Sequence, residues 1–304
     1  MREVCVIFNP AAGRGRAGQR LNRLRRLLEQ RAEFWPTQRG GHARELATQA
    51  AEAGFPVVAA AGGDGTVHEV ANGLLRATKG DTVMAVVPIG SANDYAYALQ
   101  LDADWWLHPD PSIGIRAVDV GVVRSPGRGE QFFVNGLGLG FNGCVTIEAR
   151  RIKYLQGIPL YALAILRAMR SSYRFPLLDV RLDGGPVQRV PTLALTFGIG
   201  SREGNFLLTP HAILDDGFFD YLHVGRLRRR DLIAYVPRMI SGNLPHNDPA
   251  IGFGRCRHVE LSSESPLIAH TDGEFFCVPQ QGVTHLTVEL LPGRLRVLGR
   301  LPRR

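Results

Sequence analysis

The sequence predicts two domains, an α/β domain followed by an antiparallel, β-sandwich-like domain. Up to about Val123, short apolar runs alternate with segments of helical length, as in a parallel sheet covered on both faces by helices. From Gln131 onward, short strand-like runs follow one another with turn residues between them. At 304 residues the chain is long enough for two cores. We expect domains at residues 1–123 and 124–290, with a break at the Ser-Pro-Gly-Arg-Gly segment 125–129.

The expected elements of the first domain alternate between strand and helix. Strands are predicted near residues 3–8, 33–37, 56–61 and 83–88, and helices near 17–31, 42–53 and 66–77. In the second domain, strands are predicted near 132–139, 177–182, 192–199, 217–224, 257–262 and 284–290, with helices near 159–171 and 229–240. Internal repeats and low-complexity tracts are not evident.

A glycine-rich turn, Gly62-Gly63-Asp64-Gly65-Thr66, follows the third apolar run of the first domain. Glycines let backbone N–H groups approach phosphate oxygens, and the positive end of the following helix would face the same anion. Thr66 is suited to cap that helix and to donate to a phosphate. Asp64 would repel phosphate unless a cation lies between them, so it favours Mg²⁺ bound with a nucleotide. A tight strand-to-helix connection without a ligand is the alternative.

A second polar loop, Pro88-Ile89-Gly90-Ser91-Ala92-Asn93-Asp94, follows the next apolar run, 83–87. With both loops, the chain resembles the diacylglycerol kinase catalytic-domain family, which includes soluble bacterial lipid kinases and the sphingosine and ceramide kinases. The glycine turn alone is shared with NAD kinases and phosphofructokinases. Further landmarks of the family appear in order at Asn9–Gly15, Thr37 with Gly41-His42-Ala43, Pro210–Asp220 and Thr271–Glu274. His68, where most members have Asn, and sparser glycines near 198–205 depart from the pattern.

The resemblance implies an ATP- and Mg²⁺-dependent lipid kinase. Its first domain would be similar to NAD kinase and phosphofructokinase, its active site would lie in the interdomain cleft, and the tail 291–304 would return to the first domain. The nucleotide contacts expected from the turn and the resemblance together are Asn9, Thr37, Gly62, Gly63, Asp64, Gly65, Thr66, Val67, His68, Glu69, Ser91 and Asn93. Asn93 with Asp94 could instead be a simple helix cap.

Two acids two positions apart, Asp272 and Glu274, are the candidate catalytic residues. On an extended strand both side chains would leave the same face. The resemblance places this turn at the catalytic centre and takes its acid as proton acceptor. We assign that role to Glu274, with Asp272 assisting or holding metal. A hairpin turn with surface acids remains the alternative.

A second, structural Mg²⁺ is implied by the resemblance at Asp216, with main-chain carbonyls at Ile213 and Phe218. A turn aspartate that orders a hairpin would look the same in sequence. The apolar segment Ile158–Leu166 is suited to line an acyl-chain pocket or to touch a bilayer, and ordinary core packing explains it nearly as well.

The net charge of +8 indicates an anionic partner. Arginines cluster near the start of the chain, at 226–230 and in the tail, which together favour attraction to anionic lipids. Nucleic acid is not expected, because aromatic residues do not interleave with the basic run 226–230. With no leader-like segment and no apolar run of about 18 residues, we expect a cytoplasmic protein that associates peripherally with the inner face of the membrane. The four scattered cysteines fit reduced thiols.

Several alternatives stay open at this point. The acceptor lipid could be of the diacylglycerol, sphingoid or phosphatidylglycerol type, the donor ATP or GTP, and the assembly a monomer or a homodimer. An NAD kinase-like enzyme is the enzymatic alternative, although segment 91–94 disfavours it. A catalytically inactive nucleotide-binding regulator is the other, but it would be expected to lack Asp64 or the pair Asp272 and Glu274, and all three are present.

Overall fold

The computed structural model describes residues 3–12, 16–108, 110–155 and 157–302. The chain divides into two compact units. The first unit comprises Met1–Val120 with Pro292–Arg304, and the second comprises Gly121–Leu291. The division falls inside two long strands rather than in a loop. Residues 125–129, where the sequence indicates a break, instead form the turn of a β-hairpin within the second unit.

The first unit is built on a parallel sheet with the strand order β2-β1-β3-β4. Its strands are β1 (Val4–Phe8), β2 (Ala32–Pro36), β3 (Val57–Gly62) and β4 (Val83–Pro88). Its helices are α1 (Arg16–Leu28), α2 (His42–Glu52), α3 (Asp64–Arg76) and α4 (Asp94–Ala98). All of β4 and nearly all of β3 is buried, as in parallel strands covered on both faces. The predicted α/β architecture of the amino-terminal domain is therefore confirmed.

Helix α3 begins two residues earlier than the sequence indicates. Gly63, in an extended conformation, is its N-cap, so Asp64 is the first helical residue. Thr66 is thus a buried residue of the first turn rather than the cap. Farther along α3, Gly73 allows close packing on α2, because a Cβ there would lie 2.3 Å from the carbonyl oxygen of Arg44.

The second unit contains antiparallel strands in two sheets. Its strands, two of which continue into the first unit, are β5 (Ile113–Ser125), β6 (Gly129–Phe133), β7 (Gly136–Gly140), β8 (Leu177–Leu182), β9 (Gln188–Pro191), β10 (Ala194–Gly198), β11 (Phe219–Val224), β12 (Ile251–Cys256), β13 (His258–Ser263), β14 (Ala269–Thr271), β15 (Glu274–Cys277) and β16 (His285–Arg300). One sheet has the order β12-β11-β10-β7-β14-β15. In the other, β8 lies between β9 and β13, and β13 pairs with the start of β16. In the first unit, the end of β16 lies parallel to β4, where Val297 pairs with Met84.

Three helices pack on a common apolar core in the second unit. They are α5 (Phe141–Arg151), α6 (Gly157–Ser171) and α7 (Arg229–Ser241). Side chains of all three helices join Leu193, Phe206 and Leu222 in that core. The single strand predicted at 132–139 is wrong, because β6 ends at Phe133 and β7 begins at Gly136. Among the described residues, every helix is too short or too polar to cross a bilayer.

Candidate functional site

The predicted nucleotide contacts of the first unit follow four neighbouring parallel strands. Asn9 follows β1, Thr37 follows β2, Gly63 follows the last residue of β3, and Ser91 lies three residues beyond β4. The register is continuous, since Phe8 pairs with Pro36 and Ala61, and Gly62 pairs with Pro88. Because parallel strands end at one edge of a sheet, these segments lie side by side at the edge where α/β proteins bind ligands. Gly13-Arg14-Gly15 of the first landmark lie outside the described residues.

The loops after β3 and β4 touch each other through their glycines. A Cβ on Gly90 would lie only 2.5 Å from the Cα of Gly63. The N–H groups of Ile89 and Gly90 both donate to the carbonyl oxygen of Gly62, at 2.9 and 3.2 Å. Two backbones can approach this closely only where neither carries a side chain. The contact therefore explains why both loops contain glycine at these positions.

Asn93 shapes the second loop from within. Its Oδ1 accepts from the N–H of Gly90 at 2.9 Å, and its Nδ2 donates to the carbonyl oxygen of Gly90, also at 2.9 Å. The backbone of Asn93 is left-handed, with φ of +53°, a conformation that asparagine tolerates well. Asn93 precedes α4, but its side chain does not cap that helix. Its role in the structure is to close the loop around Gly90.

Two carboxylates, Asp64 and Asp94, lie together where the two loops meet. Asp64 accepts from the N–H of Asn93 through Oδ2 at 2.9 Å and from that of Tyr95 through Oδ1 at 3.3 Å. Burial raises the pKa of Asp64, and the charge of the buried Asp94 raises it further, against the lowering effect of the loop N–H groups. Like charges held together attract a divalent cation, so this donor set fits Mg²⁺.

Glu69 of α3, predicted to contact the nucleotide, directs its carboxylate to the start of α2. Its carboxylate accepts from the N–H of Gly41 at 2.8 Å and from that of Ala43 at 3.0 Å. The side chains of Val67 and His68 are buried, with only 3% and 6% exposed. Within the predicted stretch 63–69, the residues open to solvent are therefore mainly those at its beginning, 63–65.

In the second unit, Asp272 lies in the tight turn between β14 and β15. The φ angles of Asp272 and Gly273 are +52° and +81°, as in the two-residue hairpin turns favoured by Asp-Gly. The expectation that Asp272 and Glu274 leave the same face of an extended strand is therefore wrong. The carboxylate of Asp272 accepts from the backbone N–H groups of Val134, Asn135 and Gly136, at 3.1, 2.9 and 3.0 Å. These bonds also explain the break between β6 and β7.

Glu274 begins β15 and faces Arg150 of α5. Its Oε2 lies 2.8 Å from Nη2 of Arg150, which also donates to the carbonyl oxygen of Gly273 at 2.7 Å. The guanidinium of Arg150 lies 4.7 Å from the centre of the Phe275 ring. The side chain of Glu274 is 43% exposed, so it remains accessible to a substrate. Sequence reasoning missed Arg150 as the partner of Glu274, because 124 positions separate them.

Asp216, expected to bind a second metal ion, has a cation of the protein beside it. Asp216 accepts from the N–H of Phe218 at 3.1 Å and forms an ion pair with Arg255. Nε of Arg255 also lies 3.5 Å from Oδ2 of Asp220. The guanidinium of Arg255 thus balances the charge of Asp216, and a metal site formed by Asp216 with the main-chain carbonyls of Ile213 and Phe218 stays a prediction. Within the described residues, no group of three or more His, Cys, Asp or Glu could hold a metal ion.

Comparison with known proteins defines the class and then the family. Residues 3–123 match the model of the diacylglycerol kinase catalytic domain, and residues 136–299 match that of the YegS C-terminal NAD kinase beta sandwich-like domain. A protein that joins these two domains is a kinase, for which ATP is the expected class of substrate. The chain belongs to the family of diacylglycerol kinases and YegS-like lipid kinases, as its motifs indicate.

Individual relatives agree with this assignment. The chain is 28% identical to the diacylglycerol kinase of Bacillus subtilis over 283 residues, which cover 90% of each chain. It is 32% identical to a YegS-like protein of Chromohalobacter salexigens over 246 residues, covering 78% of this chain and 76% of the other. A diacylglycerol kinase structure from Bacillus anthracis superposes with a TM-score of 0.69 at 20% identity, covering 98% and 97% of the two chains. Yeast NADH kinase gives 0.51 at 10% identity, covering 99% and 84%, which supports the predicted fold alone.

Proposed function

We propose that the protein transfers the γ-phosphoryl group of ATP, bound with Mg²⁺, to a hydroxyl group of a membrane lipid. Membership of the lipid kinase family supports the lipid acceptor, for which diacylglycerol, sphingoid bases and phosphatidylglycerol are the candidates. The observation that carries the proposal is the meeting of two glycine loops at Gly63 and Gly90, beside the carboxylates of Asp64 and Asp94.

The proposed donor site lies at the carboxyl edge of the parallel sheet. The loop glycines are suited to present backbone N–H groups to phosphate oxygens, and the exposed Ser91 and half-buried Thr37 and Asn9 offer polar side chains. Asp64 and Asp94 would hold Mg²⁺, whose charge offsets the negative charge of the transferring phosphoryl group. Glu69 and Asn93 act indirectly in this proposal, by fixing α2 and the second loop.

Glu274 is the proposed proton acceptor of the second unit. As the lipid oxygen bonds to the γ-phosphorus, the bond from that phosphorus to the β,γ-bridging oxygen breaks and ADP leaves, while the hydroxyl proton would pass to the carboxylate of Glu274. Arg150 holds that carboxylate in one orientation. Asp272 is the less suited base, since three backbone N–H groups already bind its oxygens. We therefore assign Asp272 to positioning the turn that carries Glu274.

The net positive charge of the protein favours its association with an anionic membrane, where the lipid acceptor lies. With 36 basic and 28 acidic residues, the chain carries a net charge of +8, which attracts anionic lipid headgroups. Peripheral association with the inner face of the membrane would bring the enzyme to its acceptor while the donor site stays in the aqueous phase.

The experiment that tests the proposal measures label transfer from γ-labelled Mg-ATP to micelles of diacylglycerol, ceramide, sphingosine or phosphatidylglycerol, with NAD⁺ as a separate acceptor. A labelled lipid is the expected result and identifies the acceptor. Label on NAD⁺ alone would replace the proposal with an NAD kinase-like activity. Nucleotide binding without any labelled product would instead favour a catalytically inactive regulator.

Two matched variants test the separate roles of the turn acids. Glu274→Gln should abolish transfer while leaving both nucleotide affinity and the unfolding midpoint unchanged. Asp272→Asn replaces one of the two oxygens that accept from three backbone N–H groups with an NH₂ donor, so it should lower the unfolding midpoint as well as the rate. A Glu274→Gln enzyme with wild-type activity would reject the assigned base.

A further inference from the structure

We propose that the outward face of helix α6, together with the arginines at its carboxyl end, is the surface by which the protein binds an anionic lipid bilayer. The name "α6 surface" refers here to Ile158, Pro159, Ala162, Leu163, Leu166, Arg167 and Arg170. This inference rests on the proposed function only in taking the acceptor to be a membrane lipid. It assigns the contact to one helix of the second unit.

The apolar character of α6 continues from its buried face onto much of its outward face. Its inner face, with Ala164, Ile165, Ala168 and Met169, is buried in the core of the second unit. A helix on the surface of a globular protein normally presents polar residues on the opposite face. Here Leu166 is 48% exposed and Ile158 is 39% exposed. The outward face therefore leaves apolar side chains in contact with water, which a bilayer would cover.

The sequence segment that contains α6 carries charge of a single sign. Between positions 150 and 174 the sequence has six basic residues and no acidic residue: Arg150, Arg151, Lys153, Arg167, Arg170 and Arg174. Arg150 and Arg151 form ion pairs with Glu274 and Glu148, which lie outside this segment. Arg170 and Arg174 form no ion pair with the part of the chain that the structure describes. Both arginines are exposed at the carboxyl end of α6, where they can meet anionic headgroups.

A second group of arginines joins this end of α6. The hydroxyl of Tyr173 donates to the carbonyl oxygen of Leu227 at 2.8 Å, and the guanidinium of Arg229 lies 5.3 Å from the Tyr173 ring. The exposed run 228–230 therefore lies close to the end of α6. An apolar helical face bordered by arginines is the pattern of helices that lie in a membrane interface. Tyr154, 66% exposed ahead of α6, is a residue type enriched at that depth.

Vesicle flotation with matched variants tests the surface. The wild type should bind vesicles of phosphatidylcholine with phosphatidylglycerol more tightly than vesicles of phosphatidylcholine alone. The double variant Ile158→Ser with Leu166→Ser should reduce binding about tenfold, whereas Ile115→Ser, which removes a 50% exposed isoleucine of the first unit, should not. Arg170→Gln should reduce binding to the anionic vesicles alone, about fivefold, and Arg44→Gln, at an exposed arginine of α2, should leave it unchanged.

A fluorescent label tests directly whether the α6 surface contacts the bilayer. A polarity-sensitive label on Leu166→Cys should shift to shorter wavelength with anionic vesicles, while the same label on Ile115→Cys should not. Equal shifts, or equal flotation of the wild type and the double variant, would overturn the proposal. The proposal would also be overturned if the wild type bound an acidic protein as tightly as it binds anionic vesicles and the double variant bound neither. That result would indicate a protein partner for the α6 surface.

Failure of this surface is distinguishable from failure of the kinase proposal. Phosphorylation of a water-soluble, short-chain diacylglycerol should be the same in the wild type and in the Ile158→Ser, Leu166→Ser variant. If no lipid is phosphorylated but flotation still depends on residues 158 and 166, the kinase proposal fails and the α6 surface stands. If lipids are phosphorylated and flotation is unaffected by the double variant, the α6 surface fails.

Discussion

Replacement of Gly90 by alanine tests the contact between the glycine loops that follow β3 and β4. The new Cβ would lie 2.5 Å from the Cα of Gly63 and 2.8 Å from Oδ1 of Asn93. The nearest of these atoms belongs to the backbone, so one loop must move to relieve the clash. The backbone of Gly90 does not have a positive φ, so alanine suits its conformation and the effect isolates the steric contact.

The crowding at Gly90 determines the expected loss in the free energy of unfolding. Overpacking of this kind costs about 1–3 kcal/mol, and loss of one Asn93 hydrogen bond to Gly90 adds about 1 kcal/mol. Because the displaced backbone would carry the N–H groups proposed to bind phosphate, nucleotide affinity should fall as well. A loss of about 1.4 kcal/mol in binding corresponds to a tenfold higher Kd.

Gly80→Ala is the matched control for this variant. It lies in the same unit just before β4, and no atom lies within 4 Å of the position its Cβ would take. Its free energy of unfolding should stay within about 0.5 kcal/mol of the wild type. Urea unfolding and titration with a fluorescent ATP analogue measure both quantities. If Gly90→Ala matches Gly80→Ala in both, the loops do not meet as described.

Further predictions concern capping, metal linkage and thiols. Glu69→Ala should destabilise the protein by about 1–2 kcal/mol in urea unfolding, and Glu69→Gln by less, because it retains one acceptor for α2. Burial and the charge of Asp94 raise the pKa of Asp64, so the folded protein disfavours the ionised carboxylate. Without Mg²⁺, the free energy of unfolding should therefore fall as pH rises through that raised pKa, and the gain in Tm on adding Mg²⁺ should grow over the same range. Asp64→Asn should abolish both trends. Burial raises the pKa of Cys5 and Cys256 to about 12, so both should resist Ellman's reagent until the protein is unfolded.

Local sequence patterns were sufficient to predict the parallel sheet and the loops at its carboxyl edge. The runs that form β1, β3 and β4 are apolar along their length, a property of strands buried on both faces, and each is followed by polar or glycine residues. Parallel pairing places the carboxyl ends of these strands at one edge of the sheet, so no further information is needed to predict that the loops lie together. The positions of Gly63 and Gly90 beside each other follow from that register.

Partners that are distant along the chain could not be predicted in this way. Arg255 pairs with Asp216 across 39 positions, and Arg150 pairs with Glu274 across 124. The sequence places Asp94 in the second polar loop but does not indicate its proximity to Asp64, because its burial beside Asp64 depends on how the two loops meet. The charge of each acid is visible in the sequence, but the cation that balances it is set by tertiary packing.

The turn at Asp272 shows how one backbone conformation separates two acids that look alike in sequence. In an extended strand, Asp272 and Glu274 would be equivalent candidates for the same proton. The left-handed conformation of Asp272 instead directs its carboxylate to the N–H groups between β6 and β7, while Glu274 remains beside Arg150. An acid that satisfies buried backbone donors stabilises the fold and is a poor choice of base, since protonation would weaken those bonds. The chemistry is therefore expected at Glu274, and loss of Asp272 is expected to act through the geometry of the turn.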